Sequence, residues 1–590
     1  MKRSSSSSSS LYHWVMVMVV AYTLINLVSG NDDEMIIVKY DDPTQVLLQQ
    51  PYRTAFHFQP PQNWMNDPNG PMYYNGVYHF FYQHNPREAQ FGSGNLSWGH
   101  AVSYNLVDWV YLEHALNPTD PFDINGCWSG SATILPDGTP AILYTGVDSQ
   151  SREVQNLAIA KNPSDPYLRE WIKSHHNPLM VPVDGIGTRF FRDPTTAWQG
   201  PDGKWRVIIG SEINGHGTAL LYQSDDFVTW SKSPKPLHFS DATKMWECPD
   251  FYPVSVNGTN GLDTSVMDTN TKHVLKASIN MDNYMRDSYV IGTYEPETDE
   301  FVVDVDFKDK SVDLRYDYGV FYASKTFYDS LKRRRVMWGW VLEADSKLDD
   351  INKGWAGLQS FPRSILLDES GKQLTQWPIR EIESLRTEEV NIQNKEIEGG
   401  AEFEITGITA SQADVEVSFH IPNLDDAELL LREWRDPEAL CRIKNASAGG
   451  KIGPFGLMVL ASDNLAEHAD IFFRIYKGND KHVVLMCSDQ SRSSLREEVE
   501  KTTYGAFIDV DPSQNLSLRS LIDHSIIESF GGRGKTCITA RAYPKVAVGN
   551  AARLYAFNYG TESIVISSLS AWSMKPAQLS PLHERTKSQI

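Results

Sequence analysis

Asn66-Asp67-Pro68-Asn69-Gly70, followed by Met72 to Gln83 folded around Asn75-Gly76, sets out a unit that the chain repeats. It reads as a polar opener, a short strand, a hairpin turn of the kind that takes positive φ, and a second apolar strand. The same grammar returns at Trp128-Ser129-Gly130, Arg192-Asp193-Pro194, Glu247-Cys248-Pro249-Asp250 and Tyr316-Asp317-Tyr318-Gly319. From opener to opener the spacings are 62, 64, 55 and 69 residues. A third strand and a late Trp recur too, as in His100 to Ser103 with Trp109 and Leu220 to Gln223 with Trp230. Short strands repeated at such a period, with no long helical pattern between them, predict the blades of a propeller, with the openers converging at one mouth of its channel.

After Pro362 the pattern changes. Gln376 to Arg386 is a short charged helical stretch, and from about residue 390 strands alternate in period two, as in Ala413-Asp414-Val415-Glu416-Val417-Ser418-Phe419. That region predicts a β-sandwich. The expected fold is therefore all-β, a five-bladed β-propeller followed by a β-sandwich. The expected boundaries are a signal peptide at 1–30, an extension at 31–50, the propeller at 51–375, a linker at 376–389, the sandwich at 390–576 and a tail at 577–590.

Across 590 residues, Lys+Arg of 54 against Asp+Glu of 75 leaves a net charge of −21, which repels polyanions and argues against nucleic acid as a partner. A hydrophobic content of 41% excludes a disordered chain. Met1-Lys2-Arg3 and the apolar run Trp14 to Leu27 predict a secretory leader, short for a bilayer span, with an uncleaved anchor as the alternative; no membrane partner is expected after removal of the leader. Sequons at Asn95, Asn257, Asn445 and Asn515 agree with that route, whose end is the vacuole or the apoplast. Five cysteines are too few for a disulfide scaffold; Cys441 and Cys487 are the candidate pair, with two buried thiols as the alternative.

Three carboxylates, Asp67, Asp193 and Glu247, stand at or beside the openers. An isolated Asp-Pro is ordinarily turn chemistry, but acids at equivalent positions of a repeat, one beside Arg192 and one after Trp246, point to a divided labour of nucleophile and general acid.

Trp64-Met65-Asn66-Asp67-Pro68-Asn69-Gly70, Phe191-Arg192-Asp193-Pro194 and Trp246-Glu247-Cys248-Pro249-Asp250 together resemble glycoside hydrolase family 32, the plant invertases and fructan exohydrolases. The resemblance implies Asp67 as nucleophile, Glu247 as general acid/base and Asp193 as the group that grips fructosyl hydroxyls. It places Trp64, Asn66, Gln83, Phe91, Trp128, Ser129 and Arg192 around the terminal fructose. No metal or other cofactor is required, because a ketofuranosyl cation needs only one carboxylate to capture it and one acid to protonate the leaving oxygen. Phe91 departs from the Trp of similar invertases, and Cys248 is expected to pack rather than react.

A second departure bears on substrate. Sucrose-splitting members resemble one another in an Asp followed three residues later by Lys after the His-Val-Leu-Lys strand, whereas here His273-Val274-Leu275-Lys276 leads into Asn280-Met281-Asp282-Asn283-Tyr284-Met285-Arg286. The implied activity is release of terminal fructose from fructans of the β-(2,1) inulin type, by a monomer. Set against it are an invertase acting on sucrose, a fructan-building transferase, and a catalytically silent sugar-binding protein of the same fold.

Overall fold

The computed structural model describes residues 50–581 except 184, 282–283 and 305–313. The expected leader and most of the extension lie outside the described residues. The first hairpin pairs Asn63–Tyr74 with Val77–Asn85, Tyr74 opposite Val77, and its turn places Asn75 and Gly76 at φ 47° and 88°, the left-handed pair that matches the twist of the flanking strands. Ser97–Ser103 and Trp109–Leu116 extend this sheet in sequence order, and Trp355–Ala356 pairs in parallel with its first strand. Four more antiparallel sheets follow, opened by Cys127–Ile134, Phe191–Arg192, Trp246–Ser255 and Phe321–Asp329, the last sheet ending at Pro378. The third opening strand is short because Asp193 takes φ 65° and Pro194 has no N–H to donate; the sheet resumes at Trp198–Gln199. The opening strands touch first to second, second to third, fourth to fifth and fifth to first, and the third sheet meets the fourth through Trp205–Ile213.

The remaining strands form a six-stranded and a seven-stranded sheet enclosing one core, to which Val415, Val417 and Phe419 contribute from one sheet and Phe455, Leu457, Ile471 and Phe473 from the other. A second core, with Phe58, Phe80, Trp109 and Trp338 packed near Leu521, Ile526 and Phe530, joins this part to the first and fifth sheets. A disulfide links Cys441, in the helix Pro437–Ile443, to Cys487, in the strand His482–Asp489; Cys127, Cys248 and Cys537 are buried free thiols.

Three expectations are corrected. Residues 376–378, read as linker, are the end of a strand of the fifth sheet, and Arg380–Leu385 is a 3₁₀ turn leading straight into the strand Arg386–Ile397. Within the expected tail, Leu579–Pro581 pairs in parallel with Trp109–Tyr111 as an added strand of the first sheet. The fifth opener, Tyr316 to Gly319, does not reach the mouth: Asp317 accepts from Thr539 N and Oγ1 and pairs with Arg363 at 2.9 Å, so it faces the two-sheet part. Tyr322 and Ala323 take the equivalent place.

Candidate active site

Three of the openers coincide with distortions of their strands, and a fourth distortion lies at Tyr322 to Lys325. Register shifts interrupt the pairing of the opening strand with its neighbour between Met65 and Pro68, Cys127 and Gly130, Glu247 and Asp250, and Tyr322 and Lys325. Bulges of this kind bend a strand and re-aim its side chains. Cys248 and Ala323 stand at φ 42° and 53° within them. Gly130 follows Ser129 because a Cβ there would lie 2.1 Å from the Leu143 carbonyl oxygen.

The three predicted acids and their neighbours form one hydrogen-bonded cluster. Asp67 accepts from Asn66 Nδ2 at 3.0 Å, Ser129 Oγ at 2.6 Å and Cys248 Sγ at 3.3 Å. The backbone N–H of Cys248 donates to Asp193 Oδ2 at 2.8 Å, so one residue bonds both aspartates. Glu247 accepts from Arg192 Nη2 and from the Tyr322 hydroxyl, each at 2.5 Å. Arg192 in turn donates to Glu153 at 2.9 Å and lies 3.9 Å from Asp193.

Burial, and after it the negative charge of Asp193, push the Asp67 carboxyl up to about 6, against the hydrogen bonds from Ser129, Asn66 and Cys248. Asp193 is also raised, because burial outweighs the neighbouring Arg192. The Cys248 thiol is pushed well above its ordinary range, by burial first and then by both aspartates, which keeps the proton it donates to Asp67.

Residues 57–378 match the glycosyl hydrolases family 32 N-terminal domain, and residues 381–573 the family 32 C-terminal domain. The chain belongs to glycosyl hydrolase family 32. It is a glycosidase. It is 53% identical to an insoluble β-fructofuranosidase isoenzyme of Arabidopsis thaliana, over 97% of this chain and 99% of that one. It is 52% identical to a fructan 6-exohydrolase of Beta vulgaris, over 91% and 89%. Among solved structures, fructan 1-exohydrolase IIa of Cichorium intybus superposes with a TM-score of 0.88 at 56% identity, over 90% of this chain and 99% of that one.

In this family 32 chain Asn66, Ser129 and Arg192 bond the acids directly, and Trp64 adjoins them through Asn66. Trp64 donates its indole N–H to Asn66 Oδ1 at 2.8 Å, and Gln359 Nε2 holds the Asn66 carbonyl at 2.7 Å. Trp64 meets Phe91 and Trp340 edge-on, with centroids 6.3 and 5.7 Å apart, and Phe91 meets Trp128 at 6.4 Å. Phe91 is exposed, so these rings form a wall open to solvent. Both polar atoms of the buried Gln83 amide lack a hydrogen-bond partner among the described residues. The sequons are scattered: Asn257 and Asn515 are exposed, Asn95 and Asn445 half-buried.

Sequence reasoning missed Tyr322, Glu153, Lys276 and Asp287. Lys276, fully buried, donates to the carbonyls of Cys248 at 3.0 Å and Ser324 at 2.8 Å and pairs with Asp287 at 3.0 Å, tying the fourth and fifth bulges together. A charged residue closing the otherwise apolar run Val274-Leu275 was the available signal. The cysteine expected only to pack also bonds the proposed nucleophile. Away from the site, Glu343, Asp345 and Asp350 converge, but the Lys353 ammonium already sits among them.

Proposed function

We propose that the protein is a retaining exohydrolase that releases terminal fructose from fructans, with β-(2,1) inulin-type chains as the preferred substrate. Asp67 attacks the anomeric carbon of the terminal fructosyl unit, and Glu247 protonates the departing oxygen and then activates the water that releases fructose. Asp193, with Arg192 and Gln83, holds the fructosyl hydroxyls. The five sheets are the blades of a propeller that runs to Pro378, and the two-sheet region is a sandwich.

The observation that carries this reading is the cluster itself. A carboxyl pushed up to about 6 and bonded by Ser129 and Cys248 shares one mouth with a glutamate held between Arg192 and a tyrosine hydroxyl. Support for fructan comes from the relatives named as fructan exohydrolases and from the missing Lys after Asn280-Met281-Asp282. The insoluble β-fructofuranosidases among the relatives favour a second reading, an invertase of the cell wall. Incubation with sucrose, inulin and levan separately decides: fast sucrose hydrolysis with little fructan cleavage overturns the exohydrolase reading, and preference for levan over inulin overturns the linkage. Retention predicts β-fructofuranose as the first anomer seen by NMR. The working compartment is the apoplast or vacuole; a pI near 5.2 disfavours tight adhesion to polyanionic wall polymer.

A further inference from the structure

We propose that the two-sheet region takes part in substrate selection by holding the hairpin Thr271–Met281/Tyr284–Glu295 against the mouth of the site, with Met285 as the specificity-determining residue and Tyr284 and Glu438 as positioning residues. The inference rests on the fructan reading above.

The register locates the hairpin. Ser278 pairs with Glu247 on one side and Asp287 on the other, and Asn280 pairs with Met285. Two residues of strand separate these rungs, so Met285 stands about 7 Å beyond the level of the acid/base, toward the Met281–Tyr284 end of the hairpin. Asp287 and Met285 share a face of the strand, and Asp287 accepts the N–H groups of Ala323 and Ser324, so that face looks toward the opening strand that bears Tyr322. Met285 packs there against the group formed by Cys248, Tyr322 and Trp340.

Tyr284 leaves the strand on the other face. Its hydroxyl donates to Glu438 Oε2 at 2.5 Å and accepts from Arg315 Nη1 at 3.0 Å, while the Arg315 guanidinium lies over its ring at 5.2 Å. Glu438 sits in the helix Pro437–Ile443, whose first turn is capped by Asp436 and whose Cys441, three residues on, is bonded to Cys487. The tip of a catalytic sheet is thereby fastened to a braced helix of the neighbouring region. A thioether at the rim offers dispersion contact to the C–H faces of a sugar but no charge or strong hydrogen bond, which suits a fructosyl leaving group held by shape.

The test is steady-state kinetics of the full-length protein on 1-kestose and on sucrose, with thermal midpoints measured alongside. Met285→Ala, Tyr284→Phe and Glu438→Ala are each expected to raise KM for 1-kestose about fivefold while kcat moves less, the scale of one lost contact or hydrogen bond. Tyr284→Phe combined with Glu438→Ala raises it no further than either alone, because both remove one bond. Glu438→Gln, which keeps an acceptor for the tyrosine hydroxyl, restores most of the wild-type KM. Unchanged KM in all three single variants, or a fall in kcat and thermal midpoint without a KM effect, overturns the proposal. If the wild-type enzyme cleaves sucrose and not 1-kestose, the fructan reading fails, and the same variants judged by their KM for sucrose still decide whether the hairpin selects the leaving group.

Discussion

In the proposed mechanism Asp67 has to be ionised to attack, and its carboxyl is held up at about 6. The acid limb of kcat/KM is therefore expected near that pH in the free enzyme, well above an ordinary aspartate. Ser129→Ala removes the 2.6 Å bond to the ionised form, so the limb should move to higher pH; a limb that stays in place would separate Ser129 from the titration. The same shift bears on stability. Because the folded value lies above the unfolded one, ionised Asp67 disfavours the fold above about pH 6, and that penalty fades as the pH falls toward 4. Asp67→Asn should abolish fructose release while raising stability at neutral pH by about 2–3 kcal/mol, measured by denaturant unfolding at pH 7 and pH 4. The acids were legible as residues because they recur beside repeated openers. Their partners were not: Tyr322 and Glu153 bond through positions in other sheets, and only the closed ring brings these within reach of Glu247 and Arg192.

Hairpins were legible where turn chemistry and alternation agree, as at Asn75-Gly76. The bulges were visible only as the motifs they produce, because a register shift is a relation between two strands. The fifth opener failed for the same reason. Tyr316 to Gly319 has the composition of a mouth segment, yet its Asp317 meets Thr539 and Arg363, partners far away in sequence. The pairing of Cys441 with Cys487 closes a separation of 46 residues and fixes the helix Pro437–Ile443 to the strand His482–Asp489. Replacing both cysteines by serine should cost about 4 kcal/mol by loop-closure entropy, read from the urea midpoint; a loss below about 1 kcal/mol would mean that the helix is held without the bond.

At the scale of the molecule, the join between the ring of sheets and the two-sheet region is ionic as well as apolar. His57 is fully buried, 2.8 Å from Asp523 and 3.5 Å from Glu528, and Glu528 also accepts from Arg363. Burial pushes the imidazole down, but the hydrogen bonds and charges of the two acids outweigh it and hold it up at about 9. A raised value means that the contribution is complete below about pH 6.5 and is lost as the pH rises through about 9. His57→Gln should therefore lower the thermal midpoint most at pH 5–6, with the gap to wild type narrowing toward pH 10; a constant gap would assign His57 a packing role only. None of this join was readable from the sequence, which offers no pattern linking position 57 to 523.

The added strand Leu579–Pro581 has a further consequence. The outermost strands of the second, third and fourth sheets are three or four residues long, too short to template much pairing. Trp109–Leu116 runs for eight, and the returning segment lies along its start. Truncation after residue 575 would uncover that border, and the shortened protein should self-associate on storage, visible as growth in light scattering, while freshly prepared monomer still cleaves its substrate.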